Sequence, residues 1–146
     1  MTSTQQTRAG VDTTSLAARF GQAAMAIVLA IVSVLLLVTT HRVELSVLGA
    51  DLPAGLLFGA AFQVVVCLFL WAATGTRFPL LVLGALWGLL AAPFLGRGAG
   101  GGVLFPAEIA GQAQLSGWIV QGVGILVPFA MALLLTVASR RRHRAS

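Results

Sequence analysis

The sequence predicts an all-α integral membrane protein with four transmembrane helices and both termini on the cytoplasmic side. Three observations carry this reading. The 146-residue chain is 58% hydrophobic and only 9% charged, against about 25% charged in a soluble domain. One water-soluble core of this size cannot hide so much apolar surface. Four apolar runs, at 20–40, 52–73, 78–95 and 116–138, carry no charged side chain in their interiors, and each reaches or approaches the roughly 20 residues of a helical crossing. The arginines collect at the ends of these runs on one side.

Residues 1–19, rich in Thr, Ser and Gln, read as a disordered cytoplasmic arm, with Ser15–Phe20 suited to extend the first helix inward. The first run has β-branched residues in Ala26–Val38 that would favour a strand in water. In lipid every backbone polar group must be satisfied within the segment, so the run is helical. Its apolar stretch exceeds the 7–15 residues of a secretory signal, and Leu48-Gly-Ala50 is a poor cleavage site. An uncleaved helix follows. Asp51-Leu-Pro53 reads as an N-cap followed by a first-turn proline, where the missing N–H costs nothing. A short turn with Arg77 leads into the third run. The fourth ends in Ser139-Arg-Arg-Arg-His-Arg144, and residues 139–146 form a basic tail. Its arginines suit anionic headgroups, each worth about 1 kcal/mol near the surface. A specific phosphoinositide or nucleic-acid site is the sharper alternative.

An even number of spans puts both termini on one side. That side holds Arg8, Arg19, Arg77, Arg140, Arg141, Arg142 and Arg144 against Asp12. The other holds Arg42 and Arg97 against Glu44, Asp51 and Glu108. By the positive-inside rule the termini are cytoplasmic. The net charge of +5 and pI near 11.7 therefore serve orientation rather than nucleic-acid binding. Nine arginines with no lysine, asparagine or tyrosine reflect a GC-rich genome.

Helices in lipid associate through small residues and polar pairs. Gly55-Leu-Leu-Phe-Gly59 and Gly84-Ala-Leu-Trp-Gly88 are G-x-x-x-G packing signals, and the short turn between their helices predicts that the two approach each other. Gln63 continues the face of Gly55 and Gly59, with Cys67 a turn further on. Cys67, the only cysteine, excludes an internal disulfide and packs as a small hydrophobe. Gln114, Gln121 and Pro128 share a face at seven-residue spacing. Amides in lipid need partners, so Gln63 and Gln121 read as interhelical hydrogen bonds or, alternatively, as lining a path. Pro93 and Pro128 are expected to kink their helices. Trp71, Phe78 and Trp118 fall near span ends, at interfacial depth.

The segment 96–115 holds the formal spacing G-x-G-x-x-G at Gly96, Gly98 and Gly101. A nucleotide-binding loop needs a strand before it and a helix directly after. Here a membrane helix precedes it and Val103-Leu-Phe-Pro106 follows, so no nucleotide is expected. Pro106-Ala-Glu108 through Leu115 instead predicts a short interfacial or re-entrant helix. Arg97, Pro106, Glu108 and Gln112 are its candidate external contacts. His41 and Glu44 with Asp51 and Glu108 are too loose a set to predict a metal. His41 and His143 lie at opposite ends, so neither a hydrolytic triad nor a cofactor is expected. The two external loops share an echo, Val47-Leu-Gly-Ala-Asp-Leu-Pro-Ala54 beside Val103-Leu-Phe-Pro-Ala107. A 2+2 duplication would produce this, as would chance in so limited an alphabet.

Leu52-Pro53-Ala-Gly55, the Gly-Gly-rich outer loop with Pro-Ala-Glu108, and an arginine tail after the last span together resemble the small actinobacterial integral membrane proteins of unknown function. The resemblance implies location and fold, with no activity attached. The expected function is that of a non-catalytic structural or accessory subunit, assembling with itself or with a cell-envelope or transport complex. The alternative is a small oligomeric transporter or lipid flippase with a path lined by Gln63 and Gln121. The expected partners are the lipid bilayer and further copies of the chain or another membrane protein, with no nucleic acid.

Overall fold

The computed structural model describes residues 15–47, 50–95, 108–109, 112–113 and 115–145. Four helices make up most of the chain: α1 (Leu16–Thr40), α2 (Ala54–Thr74), α3 (Phe78–Leu95) and α4 (Leu115–Ala145). Three are long and apolar enough to cross a membrane, whereas the apolar part of α3 is shorter. Ser15 caps α1, its Oγ accepting from the Ala18 N–H at 3.2 Å. The helix takes in residues 16–19, the part of the N-terminal arm suited to extend it, and the cap satisfies one of its first-turn donors. At its other end α4 runs on through the arginines to Ala145, so the basic tail is helical as far as it is described.

Between α1 and α2 lies a hairpin, β1 (Leu45–Val47) with β2 (Ala50–Leu52), in which Ser46 faces Asp51. Asp51 does not cap α2. It sits in β2, where its Oδ1 accepts from the Ser46 hydroxyl, and Pro53 holds the N-cap position without a side-chain bond. A second hairpin joins β3 (Glu108–Ile109) to β4 (Gln112–Ala113) between α3 and α4. It replaces the interfacial helix expected after Pro106: cross-strand pairing satisfies the backbone here without a helix. Arg97, Pro106 and the glycines 96–102 lie outside the described residues.

The helices pack as a square with α1 and α4 on one diagonal and α2 and α3 on the other. The extensive contacts are α1 with α3, α3 with α4, α1 with α2, and α2 with α4; the diagonal pairs touch little. The expected approach of α2 to α3 is thus not what the two G-x-x-x-G stretches serve. Gly55 and Gly59 face α1, where an added Cβ would lie 1.6 Å from the Thr40 carbonyl oxygen and 2.7 Å from the Leu37 side chain, respectively. Gly84 and Gly88 face α4, against Phe129 and Ile125. Each motif fastens its helix to a hairpin-linked neighbour. The contacts Thr40–Gly55, Leu37–Gly59 and Ser33–Gln63 descend α1 while climbing α2, so these helices are antiparallel. The pairs Gly84–Phe129 and Gly88–Ile125 show the same for α3 and α4.

Two buried clusters fill the interior. One gathers Ala26, Ala30, Val66, Cys67, Leu70, Leu80, Leu83 and Ala132, and the other Val34, Leu37, Val38, Trp87, Ala91 and Val120. The outer faces are apolar as well: Phe20, Leu57, Leu89, Leu126 and Leu133 are all more than half exposed. Such a surface suits lipid rather than water. Trp71, Phe78 and Trp118 are exposed near helix ends.

The glycine geometry gives a ranked test by thermal unfolding in detergent. Gly55→Ala drives a methyl into backbone and is expected to lower stability by several kcal/mol, as overpacking does. Gly21, with nothing near its missing Cβ, should accept alanine with no loss and a gain of up to about 1 kcal/mol. Equal effects at the two positions would refute the close α1–α2 contact.

Candidate functional site

Pro128 lies inside α4 and has no N–H, so the carbonyl of Gly124, four residues earlier, loses its helical donor. In an apolar interior an unpaired carbonyl is costly. Gln63, at the middle of α2 and fully buried, replaces that donor: its Nε2 donates to the Gly124 oxygen at 3.1 Å. The Oε1 of the same amide accepts from the Ser33 hydroxyl of α1. Ser33 Oγ in turn accepts from Trp87 Nε1 of α3 at 3.2 Å. The donors run Trp87 to Ser33 to Gln63 to Gly124, with one residue from each helix. Chemistry fixes the amide's orientation, since the reverse would set its oxygen against the carbonyl of Gly124.

Position follows from packing. Ser33 sits where the two apolar clusters meet on α1, flanked by Ala30 of one and Val34 of the other, and Trp87 belongs to the second cluster with Leu83 of the first one turn before it. Gly124 must be glycine because a Cβ there would stand 2.1 Å from the Trp87 ring. The indole therefore lies directly on the backbone of α4. Bonds of this chained kind polarise one another in a low dielectric, and each is worth about 0.6–2 kcal/mol in a membrane.

Gln121, the other candidate path residue, is not joined to this node. Its Oε1 is buried with no hydrogen-bond partner among the described residues. Glu108 pairs with Ala113, and Ile109 with Gln112, across the second hairpin, while Arg97 and Pro106 fall outside the described residues. At the first hairpin's end of the bundle, His41 is buried with Nδ1 2.9 Å from the Val38 carbonyl and 3.2 Å from that of Leu37. Arg42 and Glu44 are exposed. Among the described residues no group of three His, Cys, Asp or Glu is placed to hold a metal.

Sequence reasoning singled out Gln63 and Pro128 but missed Ser33, Trp87 and Gly124. The signals were present. Ser33 is the only polar residue between positions 23 and 38, and Gly124 stands four residues before the proline that frees its carbonyl. At the opposite end, Gln22 Oε1 accepts from Thr76 Oγ1 at 2.9 Å. Arg77 Nη2 donates to Ser139 Oγ at 2.6 Å and to the Leu135 carbonyl at 3.3 Å.

No protein-family model, curated protein or solved structure matches the chain.

The node predicts a specific coupling. Gln63→Leu should cost about 1–3 kcal/mol, leaving the Gly124 carbonyl and the Ser33 hydroxyl short of partners. In a Pro128→Ala background the restored N–H of residue 128 can reclaim that carbonyl, so the same substitution should cost roughly half as much. Additive losses in a double-mutant cycle, read by unfolding in detergent, would disprove the link between proline and amide.

Proposed function

We propose that the protein is a non-catalytic, multi-pass protein of the bacterial plasma membrane. In this reading all four helices cross the bilayer, both termini are cytoplasmic, and the bundle acts by assembling with further copies of itself or with a larger envelope or transport complex. The observation that carries the reading is the occupation of Gln63. Both ends of its amide are bonded to the protein's own helices, which suits a rigid membrane scaffold better than a side chain lining a route for cargo. Support for the orientation comes from charge. Arg19, Arg77 and Arg140–Arg142 belong to one end of the bundle and Arg42 to the other, as the positive-inside rule requires. The 18 residues of α3 rise about 27 Å, close to a hydrocarbon thickness of about 30 Å. The remaining mismatch is within what bilayers accommodate.

A second reading, passage of a small solute or lipid through an oligomer, draws on Gln121, whose buried oxygen has no partner among the described residues. The two separate by experiment. In native membranes, crosslinking is expected to give a discrete higher-mass band that Gln121→Leu leaves intact. Loss of a transport activity in Gln121→Leu with the band unchanged would favour the second reading. For orientation, Ser46→Cys and Arg144→Cys in a Cys67→Ala background should differ toward an impermeant maleimide on intact cells. Position 46 should react and position 144 should be protected; the reverse pattern would invert the topology.

A further inference from the structure

Gly75 ends α2 in the left-handed conformation, with φ of 64°, and turns the chain so that Arg77 lies against α4. The guanidinium is half-buried, and a single nitrogen, Nη2, makes both of its contacts, to Ser139 Oγ and the Leu135 carbonyl. Among the described residues Nε and Nη1 have no hydrogen-bond partner. Beside it opens a cleft of about 170 Å³ lined by Trp71, Gly75, Arg77, Ser139 and Arg142, among others. Arg142 follows Ser139 by three residues and so shares its face of α4. Two arginines thus line one cleft with an indole wall, while the Ser139 hydroxyl is committed to the Thr136 carbonyl and to Arg77. Of the chain's four carboxylates, Glu44, Asp51 and Glu108 belong to the connections at the opposite end of the bundle, and Asp12 lies outside the described residues.

We propose that this cleft binds the phosphate group of one anionic phospholipid, with Arg77 and Arg142 on its oxygens and Trp71 against its glycerol and upper acyl chains. The inference rests on the reading that the helices cross a bilayer, which places α2's end and the start of the arginine run at headgroup depth. Guanidinium donors in a planar fork match phosphate oxygens two at a time, and tryptophan favours the boundary between headgroup and chain. Ser139 acts as a positioning residue, holding Arg77 through Nη2. The site is distinct from the diffuse attraction of the tail, because Arg140, Arg141 and Arg144 do not line it.

The test uses the full chain purified in detergent and titrated with dioleoyl phosphatidylglycerol, followed by native mass spectrometry. One retained lipid per chain is expected, with dioleoyl phosphatidylcholine held much less well. Arg77→Gln and Arg142→Gln should each weaken retention about tenfold, whereas Arg140→Gln should leave it unchanged. Should Arg77→Gln fail to fold, Arg142→Gln, an exposed position, carries the test alone. Equal weakening by all three variants, or equal retention of the two lipids, would overturn the site in favour of diffuse charge. Displacement of the lipid by millimolar inorganic phosphate would assign the cleft to the free ion and overturn the lipid. Release of the wild-type chain from membranes by alkaline carbonate would sink the bilayer reading itself, separately from any result on the cleft.

Discussion

A proline in a helix surrounded by apolar side chains creates a carbonyl that something else must satisfy, and this fold is arranged around that need. Pro128 orphans the oxygen of Gly124, and water is not at hand to meet it. The substitute donor is an amide from another helix, which itself needs an acceptor role filled, which brings in Ser33, which receives Trp87. One backbone defect thereby recruits a side chain from each of the other three helices. Apolar packing in lipid gives little preference for one helix arrangement over another. The directed bonds supply that preference, because only one rotation of each helix aims its polar residue at the centre.

The small residues make this convergence sterically possible. Gly55 and Gly59 let α2 settle onto the C-terminal half of α1, while Gly84 and Gly88 admit Phe129 and Ile125 of α4 against α3. Gly124 is the tightest of these sites after Gly55, since a ring rather than a chain end occupies the space of its Cβ. Polar bonds and glycine notches are therefore one design. The notches bring backbones near enough for an amide of limited reach to bridge them, and the bonds hold the helices at the separation the notches allow.

Much of this was legible in the sequence, and what was not had a physical reason. Hydropathy located the four helices because lipid imposes one solution on a long apolar run. Small-residue spacing identified the faces of α2 and α3 that approach another helix, but not which helix, since G-x-x-x-G has no partner written into it. The short turn before Phe78 suggested direct α2–α3 packing; the hairpin-joined pairs won because their glycines meet Leu37, Thr40 and Phe129 instead. The hairpins themselves were hidden, as strands of two or three residues give no alternation to detect. The central node was half visible. Gln63 stood out as a lone amide, whereas Ser33 and Gly124 carry meaning only once Pro128 is seen to unpair the residue four before it.

Chain order gives the central bonds a direction in time. Segments emerge from synthesis N-terminus first, so Ser33, Gln63 and Trp87 are made before the helix that bears Gly124. Until α4 arrives, the Nε2 donor of Gln63 lacks the carbonyl it pairs with in the finished bundle, and the face of Trp87 lacks the backbone it lies on. The last helix thus acts as a latch: its arrival completes three helices that are otherwise poised but open. A chain that stops short of α4 would leave the Gln63 amide and the Trp87 ring without the backbone that completes the node.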